Sequence, residues 1–149
     1  MHKPEDASKI ATVIALIFEG IGMFTMLAFA AGINIVGGLD VSLFMEEGMT
    51  QSQAELVVSL LDILGVVFFV LGGFLLIIFM VNLVLFTKLL TGRFDQDQAS
   101  KTYLYQIIWG ALNLLFNQVS GVAYLISGIK GRSTKLNQQT KQRQDREQA

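Results

Sequence analysis

The basic residues of this chain are confined to three short segments. No Lys or Arg occurs between Ile10 and Thr87, which is 78 consecutive residues of a 149-residue chain. The eleven basic residues are Lys3 and Lys9; Lys88, Arg93 and Lys101; and Lys130, Arg132, Lys135, Lys141, Arg143 and Arg146. A soluble domain distributes such residues over its whole surface, whereas a membrane protein keeps them in segments outside the lipid. The sequence therefore predicts a small integral membrane protein.

The composition agrees with this class and excludes several others. Apolar residues make up 52% of the chain, which is high for a soluble domain, and the net charge of −1 gives no bias toward nucleic acid. The absence of Cys excludes disulfides, thiolate metal sites and Cys nucleophiles. We expect one membrane domain over residues 1–130 and a flexible cytoplasmic tail over residues 131–149, because the tail has too few apolar residues to build a core.

The first apolar segment, Ile10–Val36, contains a single charged residue, Glu19. About 20 apolar residues suffice to cross a bilayer, so this segment predicts a membrane-spanning helix over residues 10–36. A cleaved leader is the alternative, because Ala28-Phe29-Ala30 has the form of a cleavage site. The segment is, however, longer than the ~7–15 apolar residues of a leader, and Glu19 interrupts it.

A second spanning helix is predicted over residues 53–90. The preceding segment, Gly37–Ser52, reads as an acidic loop without a basic residue, and its apolar stretch Val41–Met45 is suited to lie on the membrane surface. Ser52-Gln-Ala-Glu55 matches a capping box, so we expect the helix to begin near Gln53. Its 25 uncharged residues between Asp62 and Lys88 are the strongest spanning signal in the chain.

Charge decides how the third apolar segment, Tyr103–Ile129, crosses the membrane. Basic segments favour the cytoplasmic side, so the N-terminus, the hydrophilic loop at residues 91–102 and the tail are all expected inside. The third segment must then cross an even number of times. We predict a helical hairpin with arms at 103–116 and 119–130 that turns near Asn117–Gln118, where side-chain amides could bond the freed backbone. The alternative is a single long helix that leaves the tail outside.

The predicted fold is therefore an all-α, polytopic integral membrane protein. It is a four-helix bundle with two long helices and a short C-terminal hairpin, and both termini are cytoplasmic. The arms of the hairpin are too short to cross the ~30 Å hydrocarbon core in full, so they are either tilted or re-entrant. The glycines at positions 20, 22, 65, 72, 73, 110, 121 and 128 predict close helix packing, because small residues let backbones approach in lipid.

This layout resembles the domain of unknown function 4064 family, small bacterial membrane proteins with about four predicted membrane helices. The residues that carry the resemblance are Lys101, the stretch from Tyr103 to Leu115 (YLYQIIWGALNLL), and the stretch from Ser120 to Lys130 (SGVAYLISGIK). They are similar to that family's closing hairpin, with its glycines and a basic residue at each end. The resemblance implies four helices and no known chemistry. The resemblance does not account for Glu19 or for the Gln-rich tail.

Glu19 is the main candidate for a functional side chain. It lies near the middle of the predicted first span, where a charged group costs ~2.5–3.5 kcal/mol, so it should face protein or water. Asn82, Asn113 and Asn117 lie at matching depth, and we predict an intramembrane polar cluster of these four residues. Such a cluster is either a proton or cation site or, as we favour, a set of hydrogen bonds that joins helices.

Residues near the cytoplasmic surface form a second group of candidates. Lys130, Arg132 and Lys135 follow the last apolar segment and are predicted to contact anionic lipid headgroups. Tyr103, Tyr105 and Trp109 fit the aromatic belt at the same interface. Both groups are also explained by topology alone, without a partner site.

The sequence contains no nucleophile–base pair, metal-ligand cluster or phosphate loop, so we expect neither an enzyme nor a cofactor. Two functional hypotheses follow. The first is a non-enzymatic protein that acts through helix–helix or partner contacts, such as an accessory subunit, an envelope-stress factor or an immunity protein. The second is a small oligomeric transporter or channel that moves protons or cations with the help of Glu19. The expected partners are the lipid bilayer and a second membrane protein or further copies of this chain, and not nucleic acid.

Overall fold

The computed structural model describes residues 4–38, 40–46 and 48–147, and in these ranges its regular structure is entirely α-helical. The helices are α1 (Asp6–Gly37), α2 (Val41–Glu46), α3 (Gln51–Leu90), α4 (Gln96–Asn113) and α5 (Gln118–Glu147). The all-α class is confirmed. So are two long apolar helices, α1 with 32 residues and α3 with 40, each long and apolar enough to cross a membrane. Side chains at positions 46, 134–143 and 145–147 lie outside the description.

The start of α3 lies two residues before the predicted one, because its cap is Thr50 and not Ser52. The backbone N–H of Thr50 donates to Gln53 Oε1 at 3.0 Å, and the N–H of Gln53 donates to Thr50 Oγ1 at 3.4 Å. Thr50-x-x-Gln53 is thus a capping box in its own right. At the other end, Gly92 has a φ of 67° and closes α3 in a Schellman motif, with the N–H of Arg93 bonded to the Lys88 carbonyl.

The segment predicted as a loop contains the six-residue helix α2. Asp40 precedes it, and its Oδ1 accepts a hydrogen bond from the backbone N–H of Ser42 at 3.0 Å. Hydrogen bonds from the Ser42 backbone and hydroxyl hold the pKa of Asp40 below its usual value. Asp is a favoured N-cap residue, so Asp40 supplied the signal that the sequence interpretation overlooked.

The third apolar segment forms two helices joined by a turn at residues 114–117, slightly before the predicted turn. The first arm begins at Gln96 rather than 103, because Asp95 caps it: Asp95 Oδ1 accepts from the N–H groups of Asp97 and Gln98, at 2.9 and 2.8 Å. The Gln98 side chain bonds back to the backbone of Asp95, which completes a capping box.

The second arm, α5, continues to Glu147 instead of ending near residue 130. The described backbone of residues 131–147 is thus helical, whereas the sequence analysis ended the second arm of the hairpin at residue 130. Gln, Lys and Arg have high helix propensity, and no Gly or Pro follows Gly131. These residues can extend a helix that is already nucleated, although they cannot bury a face of it. Flexibility of this segment stays a prediction.

The chain divides into two compact units, and the first consists of the described residues of 1–20 and 79–149. Here parts of α1, α3, α4 and α5 surround a small core formed by Ala15, Phe86, Ala123 and Tyr124. The arms of the hairpin touch through glycine. A Cβ built on Gly121 would lie 2.7 Å from Leu114 N and 2.8 Å from the Gly110 carbonyl oxygen. The hairpin therefore requires the absence of a side chain at this position.

The second unit, residues 21–78, contains the rest of α1, α2 and most of α3. Two of its contacts repeat every seven residues: a Cβ on Gly72 would lie 2.6 Å from Leu27, and one on Gly65 would lie 2.7 Å from Asn34. A seven-residue repeat is the spacing of a coiled-coil seam. In this unit, too, glycine on one helix admits a larger side chain from the other.

Candidate functional site

Glu19 lies inside the first unit, with 8% of its surface exposed, and its carboxylate accepts three hydrogen bonds from three other helices. Asn82 Nδ2 of α3 donates to Glu19 Oε1 at 2.8 Å, and Trp109 Nε1 of α4 donates to the same oxygen at 2.7 Å. The Tyr124 hydroxyl of α5 donates to Glu19 Oε2 at 2.5 Å. One carboxylate therefore joins all four helices of the unit.

Asn82 extends this arrangement by one more side chain. While its amide nitrogen donates to Glu19, its Oδ1 accepts a hydrogen bond from the Tyr105 hydroxyl at 2.7 Å. Glu19, Asn82, Tyr105, Trp109 and Tyr124 are called the Glu19 cluster below. The ring of Phe86 lies 6.0 Å from that of Tyr105 and 5.1 Å from that of Tyr124, measured between centroids, so an apolar side chain seals the cluster.

The donors around Glu19 restrict its chemistry. The amide of Asn82 and the indole of Trp109 approach Oε1 through N–H groups, which only donate. A proton on the carboxyl group would therefore have to lie on Oε2, where the Tyr124 hydroxyl is its neighbour. Among the described residues, every buried side-chain nitrogen or oxygen has a hydrogen-bond partner. The cluster is thus closed on itself, as a structural cross-link requires.

Asn113 and Asn117 do not join Glu19, and the predicted four-residue cluster is divided in the structure. Both amides instead stabilise the hairpin turn. Asn117 Nδ2 donates to the Phe18 carbonyl of α1 at 2.6 Å, and its Oδ1 accepts from the backbone N–H of Ser120 at 3.1 Å. Asn113 Nδ2 donates to Ser120 Oγ, which in turn donates to the Ala15 carbonyl, both at 3.0 Å.

A further polar group, which the sequence interpretation missed, lies nearer the start of α1. Ser8 and Thr12 of α1, Gln106 of α4 and Ser127 of α5 form what we call the hydroxyl cluster. Gln106 Nε2 donates to Thr12 Oγ1 at 3.1 Å, and Ser127 Oγ donates to Gln106 Oε1 at 2.9 Å. Thr12 Oγ1 and Ser8 Oγ donate to the backbone carbonyls of Ser8 and Ser127, at 2.9 and 3.1 Å. All four side chains are buried.

Helical spacing of polar residues was the signal that could have revealed these contacts. In α1, Ser8, Thr12 and Glu19 follow one another at intervals of four and seven residues. In α5, Ser120 and Ser127 are seven residues apart, so each set lies on one face of its helix. A polar stripe on an otherwise apolar helix marks the side that faces other helices when the surroundings are lipid.

The three aromatic residues predicted for the interfacial belt face the interior of the unit. Tyr105 and Trp109 belong to the Glu19 cluster, and Tyr103 is buried against Leu89 and Ala99. Their polar atoms interact with other residues of the protein, so contacts with a membrane interface are not needed to explain their orientation.

Most basic side chains described in this unit are exposed, among them Lys88, Arg93 and Lys101. Lys130 and Arg132 of α5 are exposed, as the predicted headgroup contacts require, whereas the side chain of Lys135 lies outside the described residues. Lys101 bonds to Asp97 at 2.7 Å, and this carboxylate raises the pKa of Lys101. The described residues contain no group of three or more His, Cys, Asp or Glu side chains that could hold a metal ion.

An apolar groove of about 430 Å³ runs along the surface between α1 and α5. It starts at Gln118, and its walls are Ala11, Ile14, Val119, Val122, Ala123 and Ile126. The Glu19 cluster takes no part in its lining, so the groove is a separate feature of the same unit.

Comparison with known proteins adds no assignment to this geometry, because no family model, curated protein or solved structure matches the chain. The similarity to the domain of unknown function 4064 family stays a prediction from the sequence.

Proposed function

We propose that this chain is a multi-pass protein of a bacterial cell membrane that catalyses no reaction and acts through contacts with a membrane-protein partner or with further copies of itself. Its role would be that of an accessory subunit, an envelope-stress factor or an immunity protein. The observation that carries the proposal is the inverted distribution of apolar and polar side chains.

The exposed surface of the described residues is rich in large apolar side chains, whereas the interior of the first unit is rich in polar ones. Phe24, Phe69, Ile77 and Val84 are among the many exposed residues, and Glu19 is among the buried ones. In the most apolar 18-residue window of α3, only 11% of residues are buried, whereas the core helix of a soluble protein would be mostly buried. Such a surface suits contact with lipid, where burying apolar side chains brings no gain.

The position of the hairpin turn supports a re-entrant pair of helices in the cytoplasmic leaflet. Asn117 bonds to Phe18, which lies twelve residues into α1, or about 18 Å along its axis at ~1.5 Å per residue. With the start of α1 at the cytoplasmic interface, this depth is close to the middle of a ~30 Å hydrocarbon core. Both α4 and α5 would then enter and leave on the cytoplasmic side, in agreement with the positions of the basic residues.

A turn at such a depth must satisfy its own backbone. Leu115 N–H bonds to the Leu112 carbonyl at 3.2 Å, and the N–H groups of Phe116 and Asn117 bond to the Asn113 carbonyl at 3.0 and 2.7 Å. Leu115 and Phe116 have 79% and 75% of their surface exposed, which suits contact with acyl chains. The turn therefore combines a bonded backbone with an apolar tip.

The membrane location and topology can be tested with single cysteines, because the chain has none of its own. In intact cells, a Cys at Glu47 should react with a membrane-impermeant thiol reagent, whereas a Cys at Gln138 should react only after the cells are opened. The cysteine-free chain gives the background. Labelling of both positions in intact cells would overturn the re-entrant hairpin, and recovery of the protein in an alkaline carbonate wash would overturn membrane insertion.

The proposed mode of action predicts a stoichiometric partner. Affinity purification in a mild detergent, followed by mass measurement of the intact complex, should give either a defined hetero-complex or a defined homo-oligomer. A protein that stays monomeric and alone, from cells grown under normal and envelope-stress conditions, would contradict action through contacts.

The second candidate function is an oligomeric transporter or channel for protons or cations, and the observation that favours it is a carboxyl group buried between four helices. Purified protein in liposomes should then carry a proton or cation flux, and Glu19→Gln should abolish it without unfolding the protein. Equal flux from the two proteins would exclude Glu19 from transport. The closed hydrogen bonding of the Glu19 cluster makes this the less favoured function.

A further inference from the structure

The apolar groove between α1 and α5 has a floor of small residues and walls of larger ones. Ala11 and Ala123 are each 8% exposed, whereas Val119, Val122 and Ile126 stand along the side formed by α5. Between Gln118 and Ile126 the groove follows α5 for eight residues, or about 12 Å at ~1.5 Å per residue. It is thus a straight apolar groove that is open along one side.

The groove has the length of one leaflet. Its first residue, Gln118, directly follows the hairpin turn, which the proposed topology places near the middle of the membrane. From there the groove extends about 12 Å toward the cytoplasmic side, whereas half of a ~30 Å hydrocarbon core is ~15 Å thick. This comparison rests on the membrane location proposed above.

A basic residue lies beyond the cytoplasmic end of the groove. Lys130 follows Ile126 by four residues and Ala123 by seven, so it lies on the same face of α5, and it is exposed. An ammonium group at this level meets the phosphates of the inner leaflet, where each basic residue contributes ~1 kcal/mol to the binding of anionic lipid.

We propose that this groove binds one acyl chain of an anionic phospholipid whose phosphate contacts Lys130. The shape of a straight apolar groove along one leaflet matches that of an acyl chain, and the positive charge of Lys130 beyond its cytoplasmic end matches the negative charge of the headgroup.

The test is native mass spectrometry of the full chain in a mild detergent, titrated with phosphatidylglycerol or phosphatidylcholine of identical acyl chains. The first phosphatidylglycerol should bind about five-fold more tightly than phosphatidylcholine, as a single headgroup contact predicts. Lys130→Gln should remove this preference. Lys101→Gln, which changes an exposed lysine of α4, is the matched control and should retain it.

A second pair of variants tests the groove itself. Val122→Trp fills it from a position that is 48% exposed, and Ile108→Trp is the control on α4, where Ile108 is 54% exposed and outside the groove lining. Val122→Trp should lower the affinity for both lipids, because the indole occupies the space that the acyl chain would take in the groove. Ile108→Trp should leave both affinities unchanged.

Equal binding of the two lipids to the original protein, or equal losses from the two Trp variants, would overturn the proposal. If Val122→Trp instead converted a dimer into a monomer, a second copy of the chain would be the occupant, and the lipid site would be refuted. Failure here is separate from failure of the membrane proposal, because the carbonate wash and thiol labelling in cells do not depend on the groove.

Discussion

Replacing Glu19 separates its role as a hydrogen-bond acceptor from a role as a proton carrier. The carboxylate accepts from Asn82, Trp109 and Tyr124, and a hydrogen bond between helices in a membrane is worth ~0.6 kcal/mol on average. Glu19→Ala removes the acceptor of all three hydrogen bonds, so we expect a loss of about 2 kcal/mol in the free energy of unfolding. The three orphaned donors can only add to that loss.

Glu19→Gln is the matched variant, since it keeps the shape and one carbonyl oxygen. That oxygen can still accept from Asn82 and Trp109, and the new amide can donate to the Tyr124 hydroxyl. Only the proton of Tyr124 loses its acceptor, so the expected loss is about 0.6 kcal/mol, the value of a single bond.

The assay is unfolding by SDS in mixed lipid–detergent micelles, followed by the fluorescence of Trp109, the only Trp of the chain. The midpoint for Glu19→Ala should fall well below that of Glu19→Gln, which should lie close to the original. Equal losses from both variants would show that the negative charge, rather than the set of acceptors, stabilises the fold. No loss from either would refute the structural role of the cluster.

Three further predictions concern positions elsewhere in the chain. Gly121→Ala should disrupt the hairpin and lower the midpoint in the same assay, whereas Gly73→Ala should be neutral or stabilising, because a Cβ there would meet no atom within 4 Å. Thr50→Ala should cost about 1 kcal/mol as the loss of an N-cap and Ser52→Ala almost nothing, and the reverse result would restore the cap predicted from sequence. The fluorescence of Trp109 should be quenched more strongly by lipids brominated near the bilayer centre than by lipids brominated near the headgroup, because Trp109 lies one turn before the end of α4. The opposite order would show that Trp109 lies at the membrane interface, as predicted from the sequence.

The long helices could be predicted from sequence because length and apolar composition suffice to identify them. The residues at which the helices begin and end were harder to predict. Thr50-x-x-Gln53 and Asp95-x-x-Gln98 carry the same capping signal as Ser52-x-x-Glu55, and sequence alone does not show which of several overlapping signals the backbone uses. The turn of the hairpin was placed within a few residues, since Asn117 marks it in both the sequence and the structure.

The candidate site was predicted only in part, because the sequence does not show in which direction each side chain points. Depth along the helices paired Glu19 with Asn82 correctly, because both lie well inside apolar segments. Depth says nothing about which way a side chain points, so Asn113 and Asn117 were assigned to the same cluster. Tyr105 and Trp109 were assigned to the interfacial belt and Tyr124 to no site, because aromatic rings are compatible with either lipid or protein.

The polar inner faces of α4 and α5 have a consequence for how the protein is made. Neither helix is among the two in the described part of the chain that are long and apolar enough to cross a membrane. In the membrane topology proposed above, the long helices α1 and α3 would insert first and bring Glu19 and Asn82 together. Their unsatisfied polar groups would then receive Trp109, Tyr105 and Tyr124 as the hairpin enters from the cytoplasm. In the topology proposed above, the carboxylate at the centre of the bundle is thus also the contact through which α1 binds both helices of the hairpin.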